Sequence, residues 1–210
     1  PSAAEVSIDE ELHRLIPVVE SISKTFPQAL ISVDTFRAKV AEQAVFAGAH
    51  LINDISAGNL DEAMFQTVAK LQVPYVMMHM KGTPQSMQQN PTYHDIVIEV
   101  SDYFSEKIST LTQLGVKDIV IDPGFGFAKT IDHNYHLLQQ MEALNVFGLP
   151  LLVGFSRKSM ITKVLDIDTQ DALNGTTVLN TAALLKGASI LRVHDVKEAI
   201  ECIKLTERIK

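Results

Sequence analysis

The sequence predicts an α/β fold, a TIM-type (β/α)8 barrel carried in part, and two observations predict it. Short apolar runs alternate with helical periods along the 210 residues without a hairpin signal, so the strands should pair in parallel. Polar residues also cluster where the apolar runs end: Asp34, Asn53, Asp122, Lys158, Arg192 and His194. In a barrel such positions share one face, whereas an open doubly wound sheet gathers ligands near a single switch point. About six strands are legible, against the eight of a closed barrel. Either the sheet is open, or the first βαβ unit lies outside this chain.

The elements follow in order. Residues 8–23 place Leu12, Leu15, Ile16, Val19 and Ile22 on one helical face. Residues 29–33 read as a buried strand ending at Asp34. Residues 36–47 read as a helix stopped by Gly48, the usual left-handed terminator. A short strand at 51–52 ends at Asn53-Asp54, a helix covers 61–71, and a strand at 74–78 ends at His79. A long helix at 95–114 leads through Gly115 to the strand 119–121 and Asp122. Then come a helix at 133–144, a strand at 150–153, a helix at 169–186, a strand at 190–193 and a closing helix at 196–208. The polar stretch 81–91 reads as a long loop.

Composition narrows the function. At 46% hydrophobic and 20% charged, the chain is that of an ordinary globular protein, and one domain over 1–210 is the default. A net charge of −7 argues against nucleic acid or an anionic membrane surface as partner. A local basic pocket on such a protein suits a small anionic substrate. Cys202 is the lone cysteine, which excludes an internal disulfide and points to the cytoplasm. No apolar run approaches the roughly 20 residues that span a bilayer, and no signal peptide is read. The chain opens on Pro1-Ser2-Ala3-Ala4, as though in mid-loop.

The strand ends carry the chemistry. Gly154-Phe155-Ser156-Arg157-Lys158-Ser159 empties a buried strand into two cations and two hydroxyls. Arg192 and His194 alternate with apolar neighbours, so both should face one side. Asp195 and Glu198 resemble a capping box, whose helix N-terminus would add its positive end to an anion site. Asp122-Pro123-Gly124-Phe125-Gly126-Phe127 is either a turn with a cap or a buried carboxylate facing the amidine-like edge of a heterocycle, with Phe127 as an apolar wall. Asp34-Thr35 has the form of a helix cap, and Asn53-Asp54 that of a turn. Beside Asp122 they add a carboxylate and an amide on neighbouring strand ends, which calls for a donor-rich ligand. His79, His94, His133 and His136 lack metal spacing and read as surface or structural.

Ser32-Val33-Asp34-Thr35, Asn53-Asp54-Ile55-Ser56-Ala57-Gly58, Met78-His79-Met80-Lys81-Gly82-Thr83-Pro84, the Asp122 segment, Ser156-Arg157-Lys158-Ser159 and Arg192-Val193-His194-Asp195 together resemble the dihydropteroate synthase family, in order across the chain. The resemblance implies an enzyme of folate biosynthesis, a sulfonamide target. It would join 6-hydroxymethyl-7,8-dihydropterin pyrophosphate to p-aminobenzoate with Mg2+, releasing pyrophosphate and 7,8-dihydropteroate. It implies catalytic roles for Asp34, Asp122 and Lys158. Pterin contacts would come from Asp34, Asn53, Ile55, Met78, Asp122, Phe127, Gly154 and Lys158. Arg157, Lys158 and Ser159 would hold p-aminobenzoate, Arg192 and His194 the pyrophosphate. No metal ligand is expected within the chain, because the Asn near Mg2+ would belong to a preceding segment of about 60 residues. A homodimer through the helix at 169–186 is also implied. The alternatives are a corrinoid methyltransferase acting on methyltetrahydrofolate, which needs no pyrophosphate site, and an inactive pterin-binding fragment.

Overall fold

A computed structural model of the chain describes residues 6–83 and 91–209. Most of the loop expected over 81–91 therefore lies outside the described residues. The chain divides into two compact units. Among the described residues, the first comprises 6–79, 83 and 104–120; the second comprises 80–82, 91–103 and 121–209.

The first unit runs α1 (Ile8–Thr25), β1 (Ser32–Asp34), α2 (Ala38–Phe46), β2 (Leu51–Asp54), α3 (Met64–Leu71) and β3 (Tyr75–Met78). β1 pairs β2 and β2 pairs β3, all parallel, with Asp34 level with Asn53 and Asn53 level with Val76. Ser7 starts α1 by accepting the Glu10 amide, one of the donors a helix start leaves open. Gly48, at φ +115°, turns the chain after α2 as expected, and a side chain there would collide with Ser23. The core is Val33, Val40, Ala41, Ala44, Ile52, Met64, Val68, Tyr75, Val76 and Met77.

β1 differs from its expectation. It begins at Ser32, buries only Val33, and leaves Leu30 86% exposed. Among the described residues it is paired on one side only, so it alternates instead of being buried throughout. Asp34 and Thr35 do not cap α2 either. The Thr35 hydroxyl accepts the Arg37 amide and donates to Glu11, while Asp61 accepts the Ala38 amide from across the unit.

α4 (Ile96–Gln113) and β4 (Ile119–Asp122) each have residues in both units. The second unit continues with α5 (Ile131–Gln139), β5 (Leu151–Val153), α6 (Ser159–Leu165), α7 (Leu173–Leu185), β6 (Ala188–Leu191) and α8 (Val196–Thr206). β4 pairs β5 through Ile121 and Leu151, and β5 pairs β6, again parallel. Phe125, Leu151, Val153, Phe155, Met160, Ile161, Leu179 and Ala183 fill its core.

Four local expectations change here. The helix at 133–144 ends at Gln139 and gives way to a 3-10 stretch, Met141–Phe147. Thr169–Asp171 is likewise 3-10, ahead of α7. The short helix α6 was not foreseen; its buried face is only Met160 and Ile161, too little to register as a period. Asp195 makes no side-chain cap on α8 and instead pairs with Arg157 at 2.8 Å, so no capping box forms with Glu198.

Candidate active site

In the first unit the functional residues sit where β1 and β2 end. The Asn53 side-chain amide donates to Asp34 Oδ1 at 2.7 Å. Its carbonyl oxygen is buried and has no hydrogen-bond partner among the described residues, an acceptor that a ligand donor would satisfy. Asp54, beside it, has a different duty. It is wholly buried and accepts from the Ser56 amide and hydroxyl, the Gly58 amide and the Tyr75 hydroxyl, at 2.7–2.8 Å. Of the Asn53-Asp54 pair, the turn belongs to Asp54 and the outstanding hydrogen-bonding capacity to Asn53. Ile55 is half-buried on that turn, and Met78 is buried at the end of β3.

In the second unit Asp122 ends β4 with 8% exposure. Its Oδ1 accepts the Gly124 amide at 2.8 Å. Burial pushes its carboxyl above the usual range, and Lys158, the Gly124 amide, Lys129 and Arg192 pull the other way. Lys158 is half-buried. Its ammonium donates to the Phe125 carbonyl and lies 4.8 Å from the Phe127 ring centroid, a cation–π contact. Burial lowers its pKa to about 8, against the attraction of Asp122, with Arg192 lowering it further.

The backbone leaves Lys158 little room. Gly126 is at φ +80°, and a Cβ there would stand 3.1 Å from Lys158 Cδ. A Cβ on Gly154 would stand 3.5 Å from the Arg192 carbonyl oxygen and 4.0 Å from Lys158 Nζ. Phe125 and Phe155 pack at 4.6 Å beneath these turns.

Arg192 and His194 lie just beyond β6, which ends at Leu191, so strand alternation does not orient them. The Arg192 amide still donates to the Val153 carbonyl at 2.8 Å. His194 is held by Ser156, whose hydroxyl meets both its amide (3.3 Å) and its ring Nδ1 (2.8 Å). Both side chains are exposed. Arg157, at φ +58°, turns its guanidinium to Asp195, and Ser159 is the exposed first residue of α6.

Three supporting residues escaped the sequence reading. Ser156 positions His194. Asn134 accepts the Gly126 amide at 2.6 Å. Lys129 is 4% exposed and donates to the Gly124 and Phe127 carbonyls. The signal for Lys129 was a lysine inside a glycine-rich turn, directly before the helix cap Thr130. His133 proves structural: with Thr130 it completes a capping box on α5. Among the described residues no three His, Cys, Asp or Glu side chains come together to hold a metal ion.

Comparison with known proteins places this geometry. The family described as pterin binding enzyme matches residues 1–194. The dihydropteroate synthase of Escherichia coli is 44% identical over 209 residues, covering 99% of this chain and 73% of that protein. That of Synechocystis is 40% identical over 212 residues, covering 100% and 73%. A crystal structure of Yersinia pestis dihydropteroate synthase in a sulfonamide drug complex superposes with a TM-score of 0.95 at 41% identity, covering 100% of this chain and 76% of that one. The fold is accordingly that of an incomplete (β/α)8 barrel, and these relatives do not favour the methyltransferase reading. The chain belongs to the pterin-binding enzyme family and, within it, to the dihydropteroate synthases.

Proposed function

We propose that the chain acts as a transferase of folate biosynthesis, condensing 6-hydroxymethyl-7,8-dihydropterin pyrophosphate with p-aminobenzoate. The observation that carries the reading is a buried carboxylate, Asp122, held in the field of Lys158, Lys129 and Arg192. A carboxylate so placed suits a neutral ligand with paired N–H donors, and the cations around it suit an anionic group on the same ligand.

In the first unit we assign Asp34 and Asn53 to the polar edge of the pterin, with Ile55 and Met78 against its ring. In the second unit we assign Asp122 to the paired N–H donors and Phe127 to the ring face. Gly154, whose backbone passes beside Lys158, is assigned to the same ligand. Lys158 serves both substrates, with Arg157 and Ser159 toward p-aminobenzoate and Arg192 with His194 toward the pyrophosphate. The bond between the pterin methylene carbon and the pyrophosphate oxygen breaks, and its electron pair leaves with pyrophosphate. The amine nitrogen of p-aminobenzoate then bonds to that carbon and gives up a proton. Positive charge developing on the pterin is favoured by Asp34 and Asp122, and negative charge on the leaving group by Arg192 and His194. Mg2+ is ordinarily held by few protein ligands and by substrate phosphates, so we place it with the pyrophosphate and not in a protein cage.

The test is pyrophosphate release that requires both substrates. Release without p-aminobenzoate, or methyl transfer from methyltetrahydrofolate, would overturn the assignment. The sulfonamide held by the Yersinia pestis relative suggests the same drug class as a competitor of p-aminobenzoate here.

We further propose a homodimer through α7 and α8, which pack on each other and expose Val178, Leu185, Ile200 and Leu205. Sedimentation of a Val178→Glu variant as a monomer would support it; an unchanged sedimentation coefficient would not. No helix among the described residues is long and apolar enough to cross a membrane, which accords with a cytoplasmic enzyme.

A further inference from the structure

We propose that Lys129 is a positioning residue for Asp122, fixing the carboxylate and keeping it ionised from behind the loop without itself meeting the ligand. The proposal rests on the assignment of Asp122 to the pterin.

The geometry is a relay through one glycine. Gly124 gives its amide to Asp122 Oδ1 at 2.8 Å, and its carbonyl receives the Lys129 ammonium at 3.0 Å. The same ammonium reaches the Phe127 carbonyl at 3.1 Å, so it ties both ends of the turn that carries the Phe127 ring. Backbone on either side of Lys129 is pinned as well. Tyr93 donates to the Ala128 carbonyl at 2.9 Å, and Ala128 is held in the left-handed region at φ +49°. Asn134 donates to the Thr130 carbonyl at 2.6 Å while accepting the Gly126 amide. The loop is thus built around a lysine that is only 4% exposed.

A surface lysine would serve poorly in this place, because water would screen it. An apolar residue would leave two carbonyls short of a donor and Asp122 short of a countercharge. Among the described residues, the charged groups acting on Asp122 include Lys158, Lys129 and Arg192, and those acting on Lys129 include Asp122 and Lys158. Burial lowers the Lys129 pKa to about 7, opposed by Asp122 and assisted by Lys158. Lys129 therefore changes charge close to neutrality, and Asp122 feels it.

The Asp122 carboxyl carbon, followed by 13C NMR in the unliganded protein, provides a readout independent of pterin binding. Lys129→Met should raise its titration midpoint by about one pH unit or more. The acid limb of 6-hydroxymethylpterin affinity should move up in pH by the same interval. An unchanged midpoint, with affinity lowered equally at every pH, would reduce Lys129 to a packing role and overturn the proposal. A midpoint that moves while the affinity limb stays fixed would remove Asp122 from the pterin contacts and overturn that assignment instead. Should Lys129→Met fail to fold, Lys129→Arg decides: its permanent charge should hold the Asp122 midpoint at or below the parent value, and a raised midpoint would sink the idea.

Discussion

The side-chain amide of Asn53 donates to Asp34 at 2.7 Å, while its own buried carbonyl oxygen has no partner among the described residues. One side chain thereby orients a carboxylate and keeps an acceptor in reserve. A buried acceptor left without a donor is unfavourable by roughly 1–3 kcal/mol, which a ligand N–H would recover. Asn53→Ala should therefore weaken pterin binding by about tenfold to a hundredfold. Calorimetric titration with 6-hydroxymethylpterin checks it, and unaltered affinity would take Asn53 out of the site. Asn53→Asp should do worse at neutral pH, since it sets two carboxylates against each other.

Asp122 should impose an acid limit on pterin affinity. Its carboxyl lies above the ordinary range because it is buried, and the paired contact proposed for the pterin needs the ionised form. As pH falls through that raised pKa the carboxylate is protonated and affinity drops, earlier than an exposed aspartate would allow. Asp122→Asn should lower affinity at neutral pH by about a hundredfold or more and abolish this limb. A parent profile identical to that of the variant would contradict the role.

Lys158 sets the opposite limit. With its pKa lowered to about 8, it is cationic below that pH and loses its charge above it. Turnover should therefore decline as pH rises past about 8. Asp122→Asn removes the anion that holds the ammonium charged, so this limb should shift to lower pH. Lys158→Ala should raise the KM for both substrates; damage confined to the pterin would refute its double role.

The Asp54 turn should matter for stability more than for ligand contact. Tyr75→Phe removes one buried hydrogen bond to Asp54 and should destabilise by about 1 kcal/mol. Asp54→Ala removes the acceptor of four hydrogen bonds and should destabilise by about 3 kcal/mol or more. Urea unfolding measures both. Equal effects from the two changes would mean that the network is not shared as the distances indicate.

Much of this arrangement could be read from residue order. β2, β3 and β4 declared themselves because buried parallel strands are nearly continuous apolar runs, and their polar ends stood out against them. β1 was misjudged because Ala29, Leu30 and Ile31 carry the same apolar letters without partners on both sides. α6 was hidden because seven residues with two buried ones make no periodic signal. Asp195 was misassigned because a cap and an ion pair ask for the same residue type, and only Arg157 at 2.8 Å decides between them. Lys129 illustrates the harder limit: burial of a charge depends on the path of the chain around it, and composition holds no record of that path.

The narrow berth around Lys158 also bears on how this protein can evolve. Gly126, at φ +80°, leaves no slack for a methyl group, which would press on Lys158 from an already left-handed backbone, whereas a methyl at Gly154 would meet Arg192 and Lys158 at ordinary contact distance. Heritable variation that reshapes ligand preference should accordingly arise at exposed positions such as Arg157 and Ser159, leaving Gly126 untouched in a saturation library selected for folate synthesis.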